Sequence, residues 1–253
     1  MATSRADDLA IRALADLSDA IEPVNARIIG GHMVQLLLTA FPTPGTIERR
    51  TRDADGGLPP EAAAIGEVHA ALTERGYEAQ PAGGNRYLRT LLDGEDLVVD
   101  LLVGDQHARS QPVTIGEHTF DSTPALFVPL TEDPIMVDVT ALLTNGEEMI
   151  FTTRVPTLEG AVILKAFAWS ARKELRDAVD LYNLLLVVRQ HKSEVGRWLL
   201  DQPPLHGTRL DAARSMTSMI RAARTPLLRG RLDATRLVAL IRSLVVEDPP
   251  VTR

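Results

Sequence analysis

The chain predicts an α/β (α+β) protein: a mixed sheet with helices up to about residue 155, followed by a helical C-terminal region spanning 156–253. Three observations carry that expectation. Short β-rich runs bounded by Gly and Pro are spread through the first part, the clearest being Asp96-Leu97-Val98-Val99-Asp100-Leu101-Leu102-Val103 after Gly94. Apolar residues at helical spacing dominate the second part. Pro156 stands where one texture gives way to the other.

In chain order, Leu9, Ile11, Leu14, Leu17 and Ile21 follow helical spacing and stop before Pro23, which predicts a first helix over 5–21. Ala26-Arg27-Ile28-Ile29 reads as a short buried strand running into Gly30-Gly31, and 32–41 as a helix packed on it. Residues 46–55 form the next expected strand, and Pro59-Pro60 opens a long helix through Arg75. Gly83-Gly84-Asn85, followed by Arg86 and Arg89, reads as a hairpin turn, with a phosphate-contact loop as the other possibility. Strand-like runs follow at 125–129, 135–140 and 149–154. Helices are expected over 158–172, 174–190, 208–224 and 232–246.

The segment Arg50-Thr51-Arg52-Asp53-Ala54-Asp55 bears the first chemistry. On a strand end, alternation sends Asp53 and Asp55 to one face, where two carboxylates can hold one or two Mg²⁺ (or Mn²⁺) against a triphosphate. Gly30-Gly31 on the preceding turn gives a phosphate room to approach the backbone and frees N–H groups to bind it. A second pattern begins at Lys165. Lys165, Arg172, Arg176 and Asp180 run close to one side of the expected helix, and three cations with an acid do not make a core stripe. A solvated helix laced with salt bridges is the bland account of the same stripe.

These motifs together, Gly30-Gly31, then Arg50 to Asp55, then Lys-x-x-Ala-x-x-x-Arg-x-x-x-Arg-Asp-x-x-Asp from Lys165 to Asp180, resemble the nucleotidyltransferase-like proteins of the AbiEii type, toxins of type IV toxin–antitoxin systems. The resemblance covers residues 25–185. It implies a DNA polymerase β-like nucleotidyltransferase core over residues 1–155 and a helical C-terminal domain that closes the nucleotide cleft. It further implies a metal held by Asp53, Asp55 and a third acid from a neighbouring strand. Asp100 takes that place because it follows the paired acids by one helix, and an acid inside Leu-Val-Val-Asp-Leu-Leu-Val is costly to bury without a cation. Asp138 is the rival, and Asp100 facing solvent on an edge strand is the bland account. Lys165 is the expected triphosphate ligand, with Gly30, Gly31, Arg52, Arg172, Asp177 and Asp180 around the nucleotide. Some members of the family attach nucleotides to the 3′ end of tRNA, which implies an NTP substrate, a tRNA acceptor and an antitoxin encoded nearby. A non-catalytic nucleotide-binding regulatory module, and transfer to a protein or small-molecule hydroxyl, stand as alternatives.

Charge fits an RNA acceptor. Residues 1–150 hold 10 Lys and Arg against 24 Asp and Glu, and residues 151–253 hold 17 against 10, so a −14 part and a +7 part lie within the overall −7. The basic part is nearly all Arg, including Arg214, Arg221 and Arg224, and the planar guanidinium suits phosphate. A general preference for Arg over Lys accounts for the residue type but not for the clustering. Zero cysteines exclude disulfides and thiolate chemistry and fit a reducing cytoplasm. No signal-peptide pattern opens the chain, and no apolar run is long enough for a membrane span. The six His lack metal-ligand spacing, and Ser122 and Ser170 lack the Gly-x-Ser-x-Gly elbow, which argues against a zinc site and a serine hydrolase.

Overall fold

Ser4 starts the first helix, α1 (Arg5–Ala20), by accepting a hydrogen bond from the Asp7 backbone N–H, while Asp7 and Asp8 complement the helix dipole. Leu9, Ala13, Leu14, Leu17 and Ala20 then bury one face of it. The computed structural model describes residues 1–80, 85–105, 111–116, 118–194, 196–223, 225, 227, 228 and 230–246. It divides into two units: Met1–Leu36 with Arg49–Pro156, and Leu37–Glu48 with Thr157–Arg253.

In the first unit α1 leads through β1 (Arg27–Ile29) into the start of α2 (Gly30–Ala40), followed by β2 (Ala54–Leu58), α3 (Pro60–Ile65) and α4 (Glu67–Glu74). Next come β3 (Glu78–Ala79), β4 (Arg86–Thr90), β5 (Asp96–Gly104), β6 (Pro112–Ile115) and β7 (His118–Thr123). A 3₁₀ turn and α5 (Phe127–Thr131) precede the hairpin β8 (Ile135–Leu142) and β9 (Glu148–Val155). The seven strands β1–β7 make one mixed sheet in the order β1-β2-β5-β4-β3, with β7 on β5 and β6 on β7. β2 and β7 run parallel to β5, whereas β1 is antiparallel to β2 and β4 to β5.

Alternation along β5 decides which face carries chemistry. Leu97, Val99, Leu101 and Val103 are buried on one face. Leu17 of α1 reaches that side, where a Cβ on Gly56 would meet Leu17 and Leu101 together. Asp100 therefore points to the opposite face of the sheet.

The second unit takes in Leu37–Glu48, and its run of helices begins after Thr157, whose side chain accepts from the Gly160 N–H and starts α6 (Leu158–Arg172). α7 (Leu175–His191), α8 (Gly207–Ala222) and α9 (Ala234–Leu244) complete it. Its interior is apolar: Ala161, Val162 and Ile163 of α6, Leu181, Leu184 and Leu185 of α7, and Leu237 and Ile241 of α9 are all buried. Glu159, buried in α6, accepts from the backbone N–H groups of Leu199 and Leu200 and from Arg209 Nε. That bonding ties the loop before α8 to α6.

Several elements differ from the sequence expectation, each for a local physical reason. The expected strand over 46–55 begins only at Ala54, so the acids stand at its start instead of its end. Upstream, the backbone is satisfied by side chains and needs no ladder: Asn183 Oδ1 accepts from Ile47 N–H and Nδ2 donates to its carbonyl, both at 2.8 Å, and Gln35 Nε2 donates to the Arg49 carbonyl. The helix expected through Arg75 is two helices, because Gly66 adopts the left-handed conformation between them, φ +80°. The apolar run 125–129 is helical, since the Thr123 side chain caps the Ala125 N–H with Pro124 in the first turn. Strands β3, β4, β6 and β7 were not anticipated as such. Gly83 and Gly84 lie outside the described residues, as does Arg224.

Candidate active site

The acidic site grows from strand register. Asp55 on β2 is the direct partner of Asp100 on the parallel neighbour β5, and Asp100 is the direct partner of Arg86 on β4. Direct partners project to the same face of a sheet, about 4.8 Å apart between strands, so Asp55, Asp100 and Arg86 form one row. Asp53, two residues before Asp55 at the bend entering β2, adds its charge to theirs on the Arg86 guanidinium. Asp138 lies elsewhere, exposed on the separate β8–β9 sheet and hydrogen-bonded by Thr152 Oγ1 at 2.7 Å.

Arg86 grips Asp100 with two parallel bonds, Nε to Oδ1 at 2.9 Å and Nη2 to Oδ2 at 2.7 Å. The arginine side chain is half exposed, at 50 %, whereas that of Asp100 is 12 % exposed. The guanidinium pKa is raised, first by its hydrogen bond and charge attraction to Asp100 and then by the charges of Asp53 and Asp55. All three carboxylates therefore act on one cation. The cation that the sequence required beside Asp100 is supplied by the chain itself. Among the described residues no three His, Asp or Glu side chains, as they stand, form a group that could hold a metal ion.

The Gly pair packs directly against the acidic segment. Gly30 adopts φ +67°, and a Cβ there would overlap the Asp55 carboxylate. A Cβ on Gly31 would press on Thr51 at 2.6 Å. Only glycines allow the start of α2 to lie this close, so the Asp55 carboxylate abuts the positive end of that helix. His32, in the first turn of α2, is 4 % exposed. Burial pushes its pKa down to about 4, with the Arg49 charge acting in the same direction and a Gln35 hydrogen bond opposing, so its imidazole is neutral near pH 7. Among the described residues no hydrogen-bond partner reaches its Nε2. Arg52 is exposed just before Asp53.

The remaining candidates belong to the helical unit. Lys165 Nζ of α6 lies 2.8 Å from Asp180 Oδ2 of α7, with side chains 6 % and 1 % exposed. Two turns further along α6, Arg172 meets Asp177 through Nη2 to Oδ1 at 2.7 Å and Nε to Oδ2 at 3.1 Å, the carboxylate buried and the guanidinium partly exposed. Arg176 pairs with Glu174 at 2.5 Å. Trp169 and Trp198 are both buried, the latter donating from Nε1 to the Leu244 carbonyl. The motif Lys165 to Asp180 thus closes two ion pairs between successive helices.

The sequence sets Arg86 after a hairpin turn, or in a phosphate-contact loop, and does not reveal its part in the acidic row. Its signal is faint, a cation beginning a five-residue strand, because register across a sheet is not written in either strand alone. Thr51 was likewise noted only as a neighbour of the acids, and its contact with Gly31 appears only in three dimensions.

No family model matches the chain, and no curated protein matches it. Among solved structures, the chain is similar to the crystal structure of JHP933 from Helicobacter pylori, at 13 % identity and TM-score 0.49, over 96 % of this chain and 93 % of that one. It is also similar to the solution structure of the antibiotic-resistance factor ANT(2'')-Ia, at 15 % identity and TM-score 0.39, over 85 % of this chain and 97 % of that one.

Proposed function

We propose that the chain is a metal-dependent nucleotidyltransferase that moves a nucleoside monophosphate from an NTP to an acceptor hydroxyl. The acidic row, and neither structural likeness, carries this reading: Asp55 and Asp100 are direct partners on parallel strands, with Asp53 two residues upstream. The acids are of the kind a hard divalent cation takes: Asp55 and Asp100 share a face, and the charges of Asp53 and Asp55 reach the same Arg86 guanidinium that Asp100 binds. Asp53, Asp55 and Asp100 would hold Mg²⁺ or Mn²⁺, which when bound neutralises triphosphate charge and favours an ionised acceptor oxygen.

The other tasks fall to the chain. Gly30 and Gly31 let the start of α2 pack directly on Asp55 and Thr51, which holds the Asp55 carboxylate in place beside Asp100. The acceptor oxygen bonds to the α-phosphorus as the bond to the β-phosphate bridging oxygen breaks, and pyrophosphate carries that electron pair away. The hydroxyl proton passes to an Asp100 oxygen and on to solvent. Positioning and charge neutralisation supply most of the rate.

The acceptor in this reading is the 3′ end of tRNA and the biological role that of a toxin with an antitoxin. Support comes from the AbiEii-type motifs and from the Arg excess after residue 150, including Arg214 and Arg221 on α8. Labelled NTP incorporation with pyrophosphate release is the deciding measurement. Asp53→Asn, which preserves shape and removes charge, should reduce it by roughly a hundredfold or more with the fold intact. Full incorporation by that variant overturns the assignment. Modification of tRNA should also fall steeply with salt and in Arg221→Glu, whereas salt-insensitive transfer would point to a protein or small-molecule acceptor. The Arg86 bond to Asp100 favours one second reading, a nucleotide-binding regulatory module, which NTP binding without pyrophosphate release would establish.

A further inference from the structure

β8 pairs only with β9 among the described residues, in a sheet of its own. The Leu143 N–H donates to the Glu147 carbonyl at 2.9 Å, and the register from Leu142↔Glu148 to Ile135↔Val155 continues from that pair without a bulge. In an antiparallel ladder, residues that exchange bonds alternate with residues whose N–H and C=O groups turn outward. Odd-numbered residues of β8 therefore bond β9, and Met136, Asp138, Thr140 and Leu142 face away from it. Ala2 covers one end, its N–H donating to the Leu142 carbonyl at 2.8 Å. The outward groups of Met136, Asp138 and Thr140 meet no other strand among the described residues, and all three residues are exposed. Edge strands are ordinarily guarded by Pro, Lys, a bulge or a covering segment. Between Ile135 and Leu142 the first three are absent, and the cover stops at Leu142.

The order of residues along this open edge selects its partner. A second copy of β8 can add to it antiparallel about a two-fold axis, and outward residues then pair with outward residues. Centred on Asp138, that pairing sets two carboxylates directly opposite each other, which is unfavourable. Centred on Thr140, it requires the Leu142 carbonyl that Ala2 holds as partner for Asp138. Centred on Val137, it brings Pro134, which has no N–H, opposite Thr140. Centred on Val139, it sets Asp138 of each copy opposite Thr140 of the other, and the ladder ends before Leu142. Thr152 Oγ1 donates to Asp138 Oδ1, which leaves Oδ2 to accept from the Thr140 hydroxyl of the second copy.

We infer that the β8 edge is a self-association surface: two copies of this chain pair through Asp138 and Thr140 into one continuous antiparallel sheet in the order β9-β8-β8-β9. The contact is isologous, so it closes on itself and recruits no third copy. It is independent of the proposed nucleotide chemistry.

The full chain has no cysteine, which makes cross-linking a clean probe. Val139 meets Val139 of the second copy with Cα atoms about 4.5 Å apart, within disulfide reach. Val139→Cys should therefore give a covalent dimer under mild oxidation, read on non-reducing gels. Val137 lies opposite Ala141, roughly 14 Å along the strand from Val137 of the second copy, so Val137→Cys should not cross-link. Sedimentation velocity over a range of concentrations supplies the second readout, and Thr140 is exposed, so its replacement spares the monomer. Thr140→Asp sets a carboxylate against Asp138 twice and should raise the dimer dissociation constant about fivefold, whereas Thr140→Lys forms two ion pairs and should lower it by a similar factor. Lys at an edge ordinarily discourages strand pairing, so tighter association of Thr140→Lys is specific to this register. A parent chain that stays monomeric, with Val139→Cys not cross-linking, overturns the proposal. Association indifferent to both Thr140 variants, or Val137→Cys cross-linking as readily as Val139→Cys, overturns it as well.

Discussion

Two carboxylate–cation pairs, one in each unit, are built from similar groups with opposite consequences. In the helical unit Lys165 and Asp180 are both sealed in the interior between α6 and α7. In the sheet unit Asp100 is nearly buried, but its partner Arg86 is half in water. A buried pair whose members have nowhere else to go acts as a staple, because separating them leaves an unpaired charge in a poorly polarisable interior. A pair with one exposed member acts as an exchangeable contact. The difference lies in packing: α6 and α7 enclose their pair with apolar side chains, whereas the β5 face opposite α1 leaves its row accessible.

The largest test of this contrast is Lys165→Ala. It should lower the unfolding free energy by about 3–5 kcal/mol in chemical denaturation, while Lys165→Met combined with Asp180→Leu recovers most of the loss. A loss below about 1 kcal/mol would show Lys165 to be mobile, and would strengthen its role as a triphosphate ligand. The next effect is pH-dependent and belongs to the sheet unit. His32 has its folded pKa depressed to about 4 from the ordinary 6.5, so between those values the unfolded chain binds the extra proton. Stability is fully present above about pH 6.5 and falls as the pH drops towards 4, by about 3 kcal/mol across that window. His32→Gln should flatten that slope. Hydrogen exchange should locate the loss at β1, α2 and β2, and an unchanged profile in the variant would count against His32.

Gly30→Ala tests how tightly the acidic site is packed. The left-handed backbone and the overlap with Asp55 should together cost about 1–3 kcal/mol, with Mn²⁺ binding weakened because Asp55 must shift. Retained stability and metal binding would mean that the turn relaxes freely. The smallest effect is expected at Asp138→Asn. That residue is exposed and bonded only by Thr152 among the hydrogen bonds described, so stability should change by no more than about 0.5 kcal/mol and nucleotide transfer should be unaltered. A marked loss of transfer would move the third carboxylate to β8.

Local signals made much of the fold legible. The helix over 5–21, the strand from Asp96 and the helices after Pro156 follow apolar periodicity, and they occur within a few residues of where it puts them. Legibility failed where a side chain or a single glycine overrode the pattern. Asn183, distant in sequence, satisfies the Ile47 backbone and so removes the need for a strand over 46–53. Gly66 cuts one helix into two.

The sequence by itself determined which residue types are available, namely two acids at a spacing that shares a strand face, a third acid in an apolar run, and a glycine pair ahead of them. These follow from short-range periodicity and backbone freedom, which any reader of the chain can apply. Only the tertiary structure decided that Asp100, and not Asp138, stands beside Asp55, that Arg86 grips Asp100, and that Lys165 is sealed against Asp180. Register between strands and burial of a pair depend on residues far apart in the chain. A slip of β5 by one residue would turn Asp100 away from Asp55 and Arg86 to the other face without altering a single local preference.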